Sequence, residues 1–92
     1  MIKTFSHKGL EDLFYDGIKK GVQTQQVDKL LLILDRLDAA MRKEDMQYPG
    51  SGYHRLKGTL KDFFAVKVSG NWRIIFRFKD GDVYDVDYVD YH

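Results

Sequence analysis

The sequence predicts an α+β fold, in which an antiparallel β-sheet meander packs on two N-terminal helices. In the first half of the 92 residues the apolar side chains recur at helical spacing, and in the second half they alternate as in strands. A loop of proline and glycine, Tyr48-Pro49-Gly50-Ser51-Gly52, separates the two halves. We therefore expect a helical layer on a sheet layer, in one domain spanning residues 1–92.

Capping residues and apolar spacing predict both helices. The first helix is expected to begin at Ser6 as N-cap and to end at Gly17 or Gly21. It carries four apolar residues at helical spacing: Leu10, Leu13, Phe14 and Ile18. The second helix is expected to begin at Thr24 as N-cap and to reach about Lys43. Its apolar stripe, interpreted as core, consists of Val27, Leu30, Leu31, Leu34, Leu37 and Met41.

Three strands are predicted after the loop, and their spans are Phe63 to Val68, Trp72 to Phe78 and Val83 to Tyr91. The turns between them are expected at Ser69-Gly70 and at Asp80-Gly81, a strong hairpin signal. Whether Ile2 to Phe5 adds a strand at an edge is left open.

Alternation along these strands predicts which side chains face the helices. The expected inward residues are Phe64, Val66, Val68, Trp72, Ile74, Phe76, Phe78, Tyr84, Val86 and Tyr88. The opposite face would then carry Lys67, Arg73, Ile75 and Arg77. We therefore expect the exposed face of the sheet to be basic at its centre.

The formal net charge is only +1, but the charge is unevenly distributed. Seven basic residues and one acid lie between Tyr53 and Lys79, whereas residues 80–92 hold five aspartates and no Lys or Arg. This pattern suits a positive face that carries a few acids for RNA chemistry. Charge alone favours the simpler alternative, in which neighbouring strands pair their charges.

Several classes of site are absent from the sequence. Without cysteine there are no disulfides, thiolate ligands or cysteine nucleophiles. His7, His54 and His92 lack the spacing of a metal site, and there is no phosphate loop, serine nucleophile elbow or dinucleotide fingerprint. We therefore expect neither a metal nor a cofactor. No targeting segment and no run approaching about 18 apolar residues is present, which predicts a cytoplasmic protein without membrane contact.

Three groups of side chains are suited to chemistry on a phosphodiester. His54 and Lys57 bring an imidazole and an ammonium within three residues, although such surface stretches are usually only solvated. Arg73, in Asn71-Trp72-Arg73, is suited to hold a phosphate through two hydrogen bonds. The last three residues add a carboxylate, a phenol and an imidazole: Asp90, Tyr91 and His92. Strict alternation separates Tyr91 from its two neighbours, so a shared site requires the end of the strand to twist or bulge.

An alternative for Arg73 is simple pairing with Asp85 or Asp87 across the sheet. Nothing in the local sequence decides between this pairing and phosphate binding. The tryptophan beside Arg73 is interpreted as a core anchor.

Taken in order, these groups resemble the HigB toxins of the RelE/ParE superfamily, and the resemblance covers the whole chain. Four segments carry it: Ile2-Lys3-x-Phe5-x-His7-Lys8-Gly9-Leu10, His54-x-Leu56-Lys57-Gly58, Asn71-Trp72-Arg73-Ile74-x-Phe76 and Asp87-Tyr88-x-Asp90-Tyr91-His92. The resemblance implies a RelE-like, microbial-ribonuclease-like fold. It also implies a toxin of a type II toxin-antitoxin system, which cleaves mRNA in the ribosomal decoding site and thereby inhibits translation.

The resemblance further implies a cofactor-free reaction, in which the ribose 2′-hydroxyl attacks its own 3′-phosphate. By resemblance, the cations are Lys57 and Arg73, and proton transfer falls to Asp90 and His92 with His54 as a competing candidate. Asn71 and Tyr91 would orient the substrate. Relatives often have an arginine just before Asn-Trp-Arg, where this chain has Ser69 and Gly70. Two other cations are candidates to hold the phosphate in its place, if they reach it: Lys67 and Arg77.

The partners implied are a HigA-like helix-turn-helix antitoxin, the ribosome with its mRNA, and operator DNA only through the antitoxin. One alternative is a ParE-like inhibitor of DNA gyrase without nuclease activity, against which the acid/base groups argue. Another is a non-catalytic RNA- or protein-binding module, which the near-neutral charge disfavours.

Overall fold

A computed structural model describes residues 1–91, which form two helices and a four-stranded sheet. The elements are α1 (Lys8–Asp16), α2 (Val27–Ala39), β1 (His54–Arg55), β2 (Phe63–Ser69), β3 (Trp72–Lys79) and β4 (Asp82–Asp90). The strands are antiparallel neighbours in the order β1-β2-β3-β4. The predicted α+β meander on two helices is confirmed. The sequence did not predict β1, which pairs with β2 at the glycine end of the loop.

The core lies between the helices and the sheet. It includes Leu10 and Leu13 of α1, five residues of α2, and the helix-facing side chains of β2, β3 and β4. The N-terminal segment lies beside β4 in parallel and forms isolated bridges at Ile2–Val83 and Phe5–Val86. It therefore extends the edge of the sheet without forming a regular strand. Among residues 1–91 no helix is both long and apolar enough to cross a membrane. We call the sheet face turned away from the helices the outer face.

Helix α1 begins one residue later than predicted, because His7 is its N-cap instead of Ser6. The Leu10 N–H donates to Nδ1 of His7 at 3.1 Å. Ser6 is still part of the extended segment, where its own N–H donates to the Val86 carbonyl. Gly17 ends the helix with φ of 70°, as predicted, and this leaves Ile18 outside the helix and 40% exposed.

Helix α2 is shorter than predicted at both ends. Residues Thr24–Gln26 form a 3₁₀ turn, so that Thr24 is not its N-cap. The helix ends at Ala39, and Met41, predicted as core, is 81% exposed. The Asp45 carboxylate accepts the backbone N–H groups of Met41 and Arg42, and these bonds lower the pKa of Asp45. Local hydrogen bonds of this kind compete with continuation of the helix.

A β-bulge in β4 changes which side chains face the core. Asp85 has φ of 55°, and the register with β3 shifts beside it. Val83 and Val86 are therefore both buried, while Tyr84 pairs with Arg77 on the outer face. The prediction that Tyr84 faces inward is wrong for this reason. Strict alternation does not anticipate the extra residue.

The centre of the outer face is apolar, contrary to the prediction of a basic centre. Ala65 and Ile75 pair there and are 0% and 5% exposed. Arg73 and Arg77 lie on either side of Ile75 along β3. Cations therefore flank an apolar floor.

Helix α1 packs unusually closely on the chain that follows it. A Cβ atom added at Gly9 would lie 2.4 Å from the Gly21 carbonyl oxygen, and one added at Gly21 would lie 2.6 Å from the Gly9 Cα. Both neighbours are backbone atoms, so relief requires the chain to shift. Alanine therefore cannot be accommodated at either position without moving α1.

We expect Gly9→Ala to lower the free energy of unfolding by about 1–3 kcal/mol through overpacking. This is opposite in sign to the gain of about 1 kcal/mol that Gly to Ala ordinarily brings within a helix. Urea denaturation of Gly9→Ala and Gly21→Ala, with the exposed Lys20→Ala as control, measures the effect. Increased stability of Gly9→Ala would contradict the close approach.

Candidate active site

Two cross-strand rows of the outer face bring candidate residues together. The Cα partners of the first row are Lys67, Arg73 and Val89, and those of the second are His54, Ala65, Ile75 and Asp87. Strand spacing and rise place the His54 Cα roughly 12 Å from that of Arg73, with Lys67 directly opposite Arg73. Long cationic side chains can converge over that distance. The strands thus gather His54, Lys67 and Arg73 from separate parts of the sequence.

Arg73 is half-buried and held against the turn that precedes it. Its Nη1 donates to the carbonyls of Gly70 at 2.8 Å and Trp72 at 3.0 Å. It forms no ion pair with another described residue, so the alternative of pairing with Asp85 or Asp87 is wrong. Lys67 opposite it likewise has no ion pair within residues 1–91. Neither of these two neighbouring cations forms an ion pair within residues 1–91.

One ring nitrogen of His54 is hydrogen-bonded, and the other has no hydrogen bond to a residue that the structure describes. Its Nδ1 lies 2.9 Å from the Gly52 carbonyl oxygen. A carbonyl can only accept, so Nδ1 carries the proton and donates it. In the neutral ring, Nε2 is then an acceptor with a lone pair, and the side chain is exposed. This is the arrangement that a general base requires.

Lys57 lies beyond His54, on the side away from Lys67. The Leu56 N–H donates to the Phe63 carbonyl at 2.9 Å, which continues the pairing of β1 with β2. Lys57 follows with extended backbone, before the 3₁₀ turn Gly58–Leu60. It is exposed and has no ion pair within the described chain. Alternation from His54 sends the Lys57 side chain to the opposite face of this edge, so the cation that the register places on the His54 side is Lys67.

The end of β4 is attached to the turn between β2 and β3. The Tyr91 N–H donates to the Asn71 carbonyl at 2.8 Å, so these two candidates are adjacent. Asp90 pairs with Trp72, which places it on the helix-facing side, opposite to Arg73. The register therefore separates Asp90 from the cations by the thickness of the sheet at its rim. His92 lies outside the described residues.

Arg77 lies away from this group. It is four residues from Arg73 along β3, or roughly 13 Å at the rise of a strand. Its Nε donates to Oδ2 of Asp85 at 2.8 Å. It also borders a pocket of about 290 Å³, whose other lining residues are Lys43, Arg55, Asp62, Phe64, Phe78 and Lys79. Of the two substitutes for the missing arginine, Lys67 is the one beside Arg73.

Within residues 1–91, no group of three or more His, Asp or Glu side chains is close enough to hold a metal ion. What the site offers is a set of cations, an imidazole with a defined tautomer, and amide and phenol groups at a turn. Such groups can bind a phosphate and transfer protons.

Sequence reasoning missed the serine that positions this edge. Ser51 is buried at 3% exposure, and its carbonyl accepts the Lys67 N–H at 2.7 Å. Its Oγ accepts the Tyr53 N–H at 3.2 Å, next to His54. The loop is thereby attached to β2 beside the first cross-strand row. A serine between two glycines is a turn signal, but it does not reveal this long-range partner.

The chain is similar to known toxins over its whole length. The family model described as RelE-like toxin of type II toxin-antitoxin system HigB matches residues 3–92. A protein of Proteus vulgaris named Endoribonuclease HigB is 40% identical over 92 residues, which are all of this chain and all of that protein. A protein of Vibrio cholerae named Toxin HigB-1 is 30% identical over 94 residues, covering 100% of this chain and 98% of that protein.

The fold is also found among solved structures. A chain in the YoeB-YefM complex from Staphylococcus aureus superposes with a TM-score of 0.65 at 17% identity, covering 100% of this chain and 98% of that one. At 17% identity this similarity supports the fold alone, and that fold is the α+β architecture described above. The match to the family model and the two full-length relatives are independent of it. The chain belongs to the HigB-like family, the RelE-like toxins of type II toxin-antitoxin systems.

Proposed function

We propose that this protein is a ribosome-dependent mRNA endonuclease, which inhibits translation by cleaving the message in the decoding site. Endoribonuclease is the named activity of the relative that is 40% identical over the full length. That name argues against a gyrase inhibitor or a passive binding module. We also propose that residues 1–92 act as one toxin domain.

One observation carries the proposal. Lys67 and Arg73, which have no ion pair within residues 1–91, lie opposite each other in the row next to the exposed His54 imidazole, whose Nδ1 is bonded to the Gly52 carbonyl. Cleavage by the 2′-hydroxyl requires cations near the phosphate, because negative charge grows on the phosphorane. It also requires a base near the 2′ oxygen. The cations and the imidazole of the outer face support this assignment, because His54 and Arg73 lie roughly 12 Å apart at their Cα atoms.

In the reaction proposed, the 2′ oxygen bonds to phosphorus and the bond from phosphorus to the 5′ oxygen breaks. The products are a 2′,3′-cyclic phosphate and a 5′-hydroxyl. We assign the 2′ proton to Nε2 of His54, since donation from Nδ1 to the Gly52 carbonyl leaves the lone pair of the neutral ring on Nε2. Arg73 and Lys67 contact the phosphate in this scheme, and Lys57 is a further candidate cation at the end of β1. No metal or cofactor takes part in this scheme.

The proton for the leaving 5′ oxygen is assigned to the C-terminal residues Tyr91 and His92, with Asp90 in support. Of these, Tyr91 is bonded through its backbone to Asn71, at the turn that also holds the Arg73 guanidinium. Asn71 is exposed at the turn and is assigned to orienting the substrate. Asp90 lies on the opposite side of the rim, which favours a supporting role for it.

The partners proposed follow from the family and from the charge. A type II toxin has an antitoxin partner, and we propose a HigA-like helix-turn-helix protein, through which alone the complex reaches operator DNA. With a net charge of +1, the chain lacks the excess of cations that collects free RNA. The ribosome would then supply both location and substrate. We therefore propose a cytoplasmic location without membrane contact.

Expression without the antitoxin is expected to arrest growth by stopping translation. Primer extension on total mRNA from briefly induced cells should show new 5′ ends within coding regions. Co-expression of a small helix-turn-helix protein encoded beside the gene should restore growth. A matched control is the double variant His54→Ala/Arg73→Ala, induced to the same soluble level.

Normal growth at high soluble expression would overturn the proposed function. Growth arrest with DNA breaks linked to gyrase and with intact mRNA would instead select the ParE-like alternative. Arrest by the double variant as strong as by the wild type would show that these residues do not form the active site.

A further inference from the structure

Gln26 is a buried amide whose two ends are both hydrogen-bonded. The residue is 6% exposed, at the junction of the 3₁₀ turn with α2. Its Oε1 accepts the Tyr88 hydroxyl, and its Nε2 donates to Oγ of Ser69 at 2.7 Å. Burial raises the pKa of Tyr88, a backbone hydrogen bond with Gln23 acts against the rise, and the charge of Asp90 adds to it. A phenol is protonated at neutral pH in any case, so the Tyr88 hydroxyl is a donor to Gln26. We call these three side chains the Gln26 bridge.

The two partners of Gln26 lie at or near the ends of two strands of the candidate site, since Tyr88 is two residues before the end of β4. Ser69 is the last residue of β2, and Gly70, which follows it, accepts from the Arg73 guanidinium. The register of β2 with β3 shifts between Lys67 and Ser69, and Ser69 pairs with Trp72 beyond this irregularity. The side-chain bond from Gln26 is a second attachment of this irregular end.

Tyr88 makes the corresponding connection on β4. Its ring stacks on Trp72, with centroids 4.3 Å apart and an interplanar angle of 26°. Asp90 and Tyr91 follow at the end of the same strand, and the Tyr91 N–H bonds to Asn71. One amide thus joins the turn that presents Arg73 and Asn71 to the strand end that presents the C-terminal residues.

A residue that only filled the space at position 26 would not need to be an amide. A buried amide has to be hydrogen-bonded at both ends to offset its desolvation, whereas a leucine would fill the space without that requirement. The amide differs from leucine in that its N–H donor orients Ser69 and its oxygen acceptor orients Tyr88. Active sites need such support, since a displacement of about 1 Å can cost on the order of a hundredfold in rate.

We propose that Gln26 is a positioning residue of the endoribonuclease site, which aligns the Gly70–Asn71 turn with the Asp90–Tyr91 strand end for phosphodiester cleavage. The proposal rests on the proposed function. Gln26 does not itself touch RNA. It acts through Ser69 on one side and through Tyr88 on the other.

The test is single-turnover cleavage of a programmed ribosome by Gln26→Leu, Ser69→Ala and Tyr88→Phe, measured against toxin concentration. We expect the saturating rate of Gln26→Leu to fall about ten- to a hundredfold. The concentration giving half of that rate should change less than about threefold, because the groups that contact the ribosome and RNA are unchanged. The exposed neighbour variant Gln25→Leu is the matched control and should cleave like wild type.

The two single-partner variants keep the proposal testable if Gln26→Leu folds poorly. Each leaves Gln26 in place and removes one hydroxyl, and each is expected to lower the saturating rate. Adding Ser69→Ala to Gln26→Leu should cause little further loss, since both act on one bond.

The outcomes separate this proposal from the proposed function. Wild-type protein that fails to cleave the programmed ribosome would overturn the function itself. Wild-type cleavage together with wild-type rates for folded Gln26→Leu, or for both single-partner variants, would overturn the positioning role alone. An increase only in the half-saturating concentration would do the same, because it would indicate a binding role.

Discussion

Replacing Arg73 by alanine is expected to slow RNA cleavage at least about a hundredfold, with little change in stability. The guanidinium is half-buried, is held by the carbonyls of Gly70 and Trp72, and has no ion pair within residues 1–91. It is therefore oriented but not neutralised. Loss of one such charge-assisted contact to the transition state amounts to about 2–4 kcal/mol, which corresponds to a factor of about a hundred or more in rate.

Single-turnover cleavage of a programmed ribosome measures the effect, and urea denaturation measures the stability. Arg73→Lys should recover only part of the rate, because lysine keeps the charge but not the two-pronged geometry. Lys67→Ala and Lys57→Ala should also slow cleavage. The matched control is Arg36→Ala, since Arg36 lies over the Tyr48 ring on the helical side of the molecule.

Arg77→Ala tests whether the cations of the outer face act through specific contacts or through a diffuse electrostatic effect. Arg77 shares the outer face with Arg73 but is bonded to Asp85, so a smaller loss is expected there. Equal losses at both arginines would indicate a diffuse electrostatic effect. Wild-type rates for Arg73→Ala, Lys67→Ala and Lys57→Ala together would mean that this face is only a solvated surface.

Cleavage in the ribosome is expected to exceed cleavage of the same RNA free in solution by roughly a thousandfold or more. The chain has a net charge of +1, and its cations flank an apolar floor at Ala65 and Ile75 instead of forming a continuous basic groove. We therefore expect that the chain alone neither collects RNA strongly nor bends its backbone for in-line attack. A ribosome that fixes both codon and toxin supplies that orientation, and positioning of this kind lowers barriers by several kcal/mol, about 4 kcal/mol or more.

The comparison uses one RNA at one salt concentration, either free or bound in the decoding site, under single-turnover conditions. The His54→Ala variant measures the background from contaminating nuclease. Equal rates on free and bound RNA would identify a general ribonuclease. Cleavage of neither would contradict endonuclease activity for this chain.

Features that depend on neighbouring residues could be predicted from the sequence. Asp80 and Gly81 have φ of 52° and 84°, as a two-residue hairpin of this type requires, and Gly17 ends α1 with positive φ. The three long strands and most of the α2 stripe follow from apolar periodicity. The candidate residues His54, Lys57, Asn71 and Arg73 came from short motifs and family resemblance.

Features that depend on distant partners could not be predicted in this way. His54 and Arg55 become a strand only because β2 lies beside them, and Tyr84 faces outward only because β4 bulges at Asp85. Pairing across the sheet, and not spacing along the chain, sets Lys67 opposite Arg73 and keeps Arg77 with Asp85. The Gln26 bridge joins residues 43 and 62 positions apart. Hydrogen bonding and periodicity within a few residues are local, whereas strand register, bulges and buried polar contacts depend on packing between segments far apart in the chain.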